Sequence, residues 1–298
     1  QLRQLLVRVE KARRLRQRVD ELEEQVATTA PALDFTSEDP EMRELMSVVE
    51  RAAVSKATLL ILGENGTGKS ALARHIHQLS PLAGGPFVTV SGPSLSRELL
   101  ESELFGHVKG AFTGANTAHD GLFVAATGGT LFLDEIGEMA PMLQVKLLRV
   151  LERRTFKRVG GTKDIAVNLR IISATNQDLE KMVREGGFRE DLYYRLKVVP
   201  LFVPPLRDRP EDIVPLARLF MERFAKQFKK PFREMSPAAQ RVLNEYAWPG
   251  NIRELKNLFE RTILLENAEV LDVQHLKLAP RARAASEASL GQRVDDVL

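Results

Sequence analysis

The sequence predicts an α/β fold, a parallel sheet covered by helices on both faces, followed by a small all-helical unit. Three observations carry this. From about residue 41 to 206, short β-rich runs at 58–62, 87–90, 130–133 and 169–173 alternate with helical stretches. Apolar strands alternating with helices form parallel sheets buried on both faces. After Pro204-Pro205 the pattern becomes helical only, through 213–228, 237–245 and 252–265. Finally, one strand candidate runs into a glycine loop that opens a helix, the order of a phosphate-binding unit.

The 298 residues suffice for one large or two moderate domains, and 44% apolar with 28% charged residues is the balance of a soluble globular chain. No run approaches the roughly 18 apolar residues of a membrane span, and the start is not a signal peptide. Cysteine is absent, which excludes disulfides and thiolate metal sites and suits a cytoplasmic location. A net charge of +3 gives no argument for nucleic acid by itself. The chain opens at Gln1 and reads as part of something longer.

Residues 1–28 predict a coiled-coil helix. Leu5, Ala12, Val19 and Val26 take one seam position and Leu15 and Leu22 the other, with Arg8 intruding. A 3.5-residue apolar repeat makes helices supercoil around a partner. The stretch also reads as a solvated amphipathic helix on its own domain. Its first half is basic (Arg3 to Arg18) and its second acidic (Asp20 to Glu24). Small residues and two prolines make 29–40 a linker. The α/β unit then spans 41–206 and the helical unit 207–279, and the Ala-, Arg- and Ser-rich 280–298 is a second linker.

Gly63-Glu64-Asn65-Gly66-Thr67-Gly68-Lys69-Ser70 matches the phosphate-loop pattern in full, and Ala71 continues it into a helix. Its backbone N–H groups would cradle phosphates at a helix N-terminus. Lys69 would reach the β- and γ-phosphates of ATP, and the Ser70 hydroxyl would bind Mg²⁺. A second apolar strand, Thr130 to Leu133, ends in Asp134-Glu135. Asp134 would hold the metal and Glu135 would polarise the attacking water. Thr175 and Asn176 end another strand, where they would sense the γ-phosphate or position water. An ordinary strand-to-helix turn with an Asn cap explains them equally well.

Gly110-Ala111-Phe112-Thr113-Gly114-Ala115 resembles the hexapeptide of the AAA+ motors of sigma-54-dependent, NtrC-type transcription activators. The surrounding motifs resemble that family in order: Glu101 to His107, Gly129 to Glu135, Phe188 to Leu196, Pro204 to Arg209, and Trp248-Pro249-Gly250-Asn251-Ile252-Arg253-Glu254-Leu255. The resemblance covers roughly 35–278. It implies an AAA+ P-loop ATPase with a helical lid, working as a homo-oligomeric ring of six or seven subunits. Its partners would be sigma-54 and RNA polymerase. ATP hydrolysis would remodel the closed promoter complex.

By the same resemblance, residues 110–115 tip a loop that touches sigma-54, with a companion loop near Arg158-Val159-Gly160-Gly161. Arg189 and Arg195 resemble arginine fingers that reach the neighbouring subunit's nucleotide, although pairing with Glu190 or Asp191 is an alternative for one of them. Arg253 resembles the lid arginine that contacts nucleotide in its own chain. Ser91 stands where relatives usually carry an Asn that restrains the catalytic glutamate, which leaves that restraint in doubt. Ser70 replaces the Glu often found there and is the better Mg²⁺ ligand. The N-terminal helix would pair chains as dimers below a sensor module of a two-component system. Promoter or enhancer DNA would be bound only by a further domain beyond 298. A remodeller of another protein, or a nucleotide-gated scaffold that barely hydrolyses ATP, are the rival readings.

Overall fold

The computed structural model describes residues 37–91 and 97–278. The heptads of 1–28, most of the 29–40 linker and the 280–298 segment lie outside the described residues. The first helix, α1 (Pro40–Ala53), begins at Asp39, whose carboxylate accepts the Met42 N–H at 2.8 Å, with Pro40 in the first turn. It leads to β1 (Leu59–Leu62), the glycine loop and α2 (Lys69–Gln78). Then follow β2 (Phe87–Ser91), α3 (Arg97–Phe105), the short α4 (Leu122–Ala125), β3 (Thr130–Asp134) and α5 (Pro141–Arg153). A hairpin of β4 (Thr155–Lys157) and β5 (Asp164–Ala166) precedes β6 (Arg170–Thr175), α6 (Leu179–Arg184), α7 (Glu190–Leu196) and β7 (Val199–Phe202). The second unit consists of α8 (Pro210–Phe228), α9 (Pro237–Glu245) and α10 (Asn251–Leu265).

The five strands β2-β3-β6-β1-β7 form one sheet in that order, every pairing parallel. Its central strands β3 and β6 are buried almost end to end, as strands covered on both faces must be. The order has one consequence for function. Strand β6 lies between β1 and β3, so the ends of all three meet at one edge.

Besides the β4–β5 hairpin, which was not among the expected strands, three details of the structure differ from the sequence reading. Strand β7 was not among the expected strands because Pro200 lies inside it; at the sheet edge, with only β1 as neighbour, the missing N–H costs no ladder bond. The strand expected at 169–173 runs instead from Arg170 to Thr175, its polar end held by pairing of Thr175 with Leu62. The unit expected to be all helical also carries a two-residue parallel ladder between β8 (Glu234–Met235) and β9 (Val270–Leu271), too short to leave a pattern in sequence.

Two apolar cores result. One gathers Leu60, Leu131, Leu133, Ile171, Leu147 and Leu192 around the sheet; the other gathers Trp248, Phe220, Leu255 and Phe259 in the lid. Several buried polar groups in the sheet unit are tied to backbone or to one another, while the Ser173 hydroxyl and Arg170 Nε have no hydrogen-bond partner. Arg170 donates to the Ala52 and Ala53 carbonyls, each at 2.8 Å, and so anchors β6 to the end of α1. Among the described residues no helix is long and apolar enough to cross a membrane.

His77 packs tilted on the Phe87 ring at 5.2 Å, and its Nδ1 lies 2.9 Å from the Thr130 hydroxyl. Burial holds its pKa below the ordinary 6.5, helped by the charges of Arg74 and Arg170, and a backbone hydrogen bond with Gly85 opposes the shift in part. The unfolded chain therefore takes up this proton at higher pH than the folded one. Stability from neutral His77 is complete above the unfolded pKa and is lost as pH falls below it. Denaturant melts at about pH 7.5 and about pH 5.5 should show a smaller loss on acidification in His77→Gln than in wild type.

Candidate active site

The glycine loop joins the end of β1 to α2. Its backbone takes left-handed values at Gly66 (φ 79°) and Gly68 (φ 103°). A Cβ on Gly66 would stand 2.3 Å from the Gly250 carbonyl oxygen, so only glycine fits where the lid approaches. The Lys69 ammonium is buried and donates to the carbonyls of Gly63 and Glu64, both at 2.8 Å. Burial lowers its pKa and the nearby Arg253 adds to this, while Asp134 and Glu135 oppose the shift. A lysine poised among carbonyls and carboxylates is ready to exchange them for phosphate oxygens.

The Ser70 hydroxyl donates to Asp134 Oδ2 at 3.0 Å, joining the first turn of α2 to the tip of β3. A hydroxyl and a carboxylate oxygen side by side suit Mg²⁺, which keeps several waters and takes few protein ligands beside phosphate oxygens. Glu135 follows in a left-handed conformation (φ 55°, ψ 48°), an uncommon state for a residue with a side chain. Its own N–H is held by Asp134 Oδ1 at 3.1 Å. Ser91 pairs in register with Asp134, one residue short of Glu135.

At the tip of β6, the Thr175 carbonyl accepts the Gly63 N–H at 3.3 Å and its hydroxyl accepts the Gln177 N–H at 3.0 Å. Asn176 is exposed beside it, at the sheet edge shared by the phosphate loop and the acid pair. Thr175 is thus a buried structural tie, and Asn176 is the polar group left open there.

The two candidate fingers are exposed and paired within the chain. The Arg189 guanidinium forms a bidentate pair with Asp191 at 3.0 and 2.7 Å, which also lowers the Asp191 pKa. Arg195 sits 3.9 Å from Glu152. Of the partners weighed for Arg189, Asp191 is the one taken. The Arg189 backbone is fixed by a residue the sequence reading missed. Gln144, fully buried on α5, accepts the Arg189 N–H at 2.9 Å and donates to Met139 O at 2.9 Å and Gly187 O at 3.2 Å. A glutamine on the apolar face of an otherwise leucine-rich helix was its one signal in the sequence.

Residues 110–115 form a turn closed by Gly110 N–H to Ala115 O at 2.9 Å, with Phe112, Thr113 and Gly114 exposed and Ala115 buried. His107 bridges to His119 and Val159 at the base. Its Nδ1 lies 2.8 Å from the Ser102 hydroxyl and its Nε2 is 2.9 Å from Thr117 O. The Phe112 ring, 43% exposed, meets the His107 ring edge-on at 5.0 Å. The companion segment touches it directly: a Cβ on Gly160 would stand 2.9 Å from Ala111 Cβ. Arg158 pairs with Asp120, which tethers the same segment to the return strand of the loop.

On the lid side, Arg253 is exposed and its backbone N–H reaches Gly66 O at 3.3 Å. The Glu64 side chain, expected among the nucleotide contacts, turns toward the lid: Arg207 grips its carboxylate at 2.9 and 2.6 Å and Asn251 donates to it at 3.1 Å.

Known proteins resemble this chain in sequence and in fold. A family model described as the Sigma-54 interaction domain matches residues 35–202, and one described as the AAA+ ATPase lid domain matches 207–292. The chain is 52% identical over 234 residues to the Nif-specific regulatory protein of Herbaspirillum seropedicae, covering 78% of this chain and 43% of that protein. It is 48% identical over 274 residues to the Sigma54-dependent transcriptional activator SfnR of Pseudomonas putida, covering 92% of this chain and 75% of the relative. The crystal structure of NtrX from Brucella abortus in complex with ATP superposes with a TM-score of 0.76 at 39% identity, over 87% of this chain and 60% of that one. The chain thus spans between 43% and 75% of the length of these relatives.

If Ser70 and Asp134 form the metal site, Ser70→Ala should raise the Mg²⁺ concentration needed for half-maximal ATP binding by roughly tenfold, the worth of one good polar contact. Titrating Mg²⁺ at fixed ATP by calorimetry measures this, and an unchanged midpoint would refute the assignment.

Proposed function

The chain belongs to the family of sigma-54 interaction AAA+ ATPases, and from that premise we propose that it drives open-complex formation by remodelling sigma-54 RNA polymerase. The observation that carries this reading is Phe112: a large apolar ring, partly exposed on a glycine loop, hinged at its base against the 158–161 segment. An aromatic ring held in water is costly unless a partner covers it.

The nucleotide would lie along the glycine loop, with Lys69 on its β- and γ-phosphates. Ser70, and Asp134 through water, would hold Mg²⁺, which would supply charge neutralisation on the phosphate oxygens. Glu135, at the end of β3, accepts a proton from the attacking water. Asn176, open at the same edge, orients that water or reads the γ-phosphate. Ser91, beside Asp134 in the sheet, is short for a restraint on Glu135 and would bind it through its hydroxyl.

Arg189 and Arg195 point outward because their substrate belongs to the next subunit in a ring. Arg189 would then exchange Asp191 for phosphate oxygens, which a planar guanidinium can grip in the same bidentate way. Raising and lowering of residues 110–115 with the γ-phosphate would deliver the stroke to sigma-54, a two-state loop biased by one group. Acting on RNA polymerase, it would work in the cytoplasm. Specific DNA contact and signal reception would fall to a DNA-binding domain and a sensor module outside residues 1–298.

Arg189→Ala should leave MgATP binding intact and lower turnover by about 10³-fold or more, as finger losses do in other NTPases. Wild-type specific activity should rise steeply with protein concentration as rings assemble; a flat profile contradicts catalysis shared between subunits. Phe112→Ala should hydrolyse ATP yet lose capture of sigma-54 in a pull-down with a transition-state analogue of ATP. Retained capture would remove the loop from the mechanism.

A further inference from the structure

Four consecutive residues of the glycine loop are held from the side away from α2 by residues that lead into or belong to the lid. Arg207 and Asn251 bind the Glu64 carboxylate. The Asn251 amide also donates to Asn65 O at 3.0 Å. The Arg253 backbone reaches Gly66 O at 3.3 Å, and Arg209 donates to Thr67 O at 3.1 Å. Asn251 is itself fully buried, in a left-handed conformation (φ 52°), with its carbonyl oxygen accepting the Leu206 N–H at 2.7 Å. Every hydrogen-bonding function of its side chain is thus spent on this junction.

Peptide planarity gives the junction a chemical meaning. In a trans peptide the C=O of one residue and the N–H of the next point in opposite directions. Holding the carbonyls of Asn65, Gly66 and Thr67 toward the lid therefore aims the N–H groups of Gly66, Thr67 and Gly68 to the other side, where a phosphate would sit.

We propose that Glu64 and Asn251 are positioning residues: they clasp the lid to the back of the phosphate loop and so set its N–H groups for the nucleotide phosphates. The Glu64 carboxylate serves the lid and not the nucleotide. Its pKa, brought down to about 2 mainly by Arg207 and Asn251, keeps the clasp charged at any physiological pH. A lid that turns relative to the sheet must either release this clasp or pull the loop with it, so nucleotide affinity and lid position are one equilibrium.

The test is calorimetry of MgADP binding to the whole chain, with Lys69→Ala as control. The inference rests on the glycine loop being the nucleotide site and on no sigma-54 contact. If Lys69→Ala binds MgADP as wild type does, the site reading itself fails. With that control in order, Asn251→Asp sets a carboxylate against Glu64 and removes the donor to Asn65 O. It should weaken MgADP by roughly tenfold, the loss of a charge-assisted hydrogen bond, while its thermal transition stays cooperative.

Adding Glu64→Gln restores a donor–acceptor pair at this contact, though not the bond to Asn65 O, and should recover part of that loss, which a merely structural defect would not do. Buried Trp248, the one tryptophan of the chain and three residues before Asn251, supplies an independent readout. Its emission should respond to saturating MgADP in wild type and respond less in Asn251→Asp. Wild-type affinity in Asn251→Asp, or strictly additive losses in the pair, would overturn the clasp. Should Asn251→Asp not fold, Glu64→Gln decides alone, because that side chain is at the surface: MgADP affinity equal to wild type rejects the proposal.

Discussion

The site depends on one constraint of the sheet: all strands run the same way, so their ends share an edge. Strand β6 separates β1 from β3, and the strands stand about 4.8 Å apart. Ser70 and Asp134, 64 residues apart along the chain, thereby meet within one hydrogen bond. The near-complete burial of β3 and β6 keeps the edge from shifting, because moving either strand would break close packing on both faces. The Thr175 tie to Gly63 then fixes the start of the loop to the middle strand. Loop, acid pair and Asn176 are held by the same five-stranded body.

What the sequence revealed and what it hid divide by distance along the chain. The glycine loop and the Asp134-Glu135 tip are local, each at the end of an apolar strand, whereas the hexapeptide was legible only through its resemblance to a known family. The lid grip was not legible, because Glu64 meets Arg207 across 143 residues and Asn251 across 187. Nothing in a single sequence pairs such positions, and a glutamate inside a phosphate loop reads as part of the ligand shell. Gln144 was hidden for a related reason, since its partners Met139 and Gly187 offer only backbone carbonyls, which carry no residue signature. Strand β7 was masked by its proline, which local rules count against a strand and an edge position allows. For Arg189 the sequence left two readings standing. Asp191, two residues on, takes the guanidinium.

That last pairing bears on how much a neighbouring subunit must contribute. An exposed Arg–Asp pair is worth little in water, so exchanging it for a phosphate oxygen would not be an uphill step. The pair narrows the rotamers open to a long side chain without locking it. Gln144 does the opposite for the backbone. Its side chain is fully buried, and a buried amide stripped of a partner costs roughly 1–3 kcal/mol per group. The main chain of Arg189 is therefore firm while its head stays exchangeable, which is what a group presented to another molecule requires.

The same amide sets a geometric limit on independence between sites. Met139 follows Glu135 by a single turn of 3₁₀ helix, Ile136–Glu138, and Gly187 lies two residues before Arg189. Gln144 donates to both carbonyls with one nitrogen. A movement of the acid-bearing tip that reached Met139 would have to carry the 187–189 segment along or abandon a buried hydrogen bond. Carrying it is the cheaper course, because Leu192 and Tyr193 of α7 pack in the same apolar core as Leu143 and Leu147 of α5. The outward arginine is thus mechanically part of the strand end that bears Asp134 and Glu135. A rigid link of that kind, built from one glutamine and two carbonyls, leaves little room for the two to change position separately.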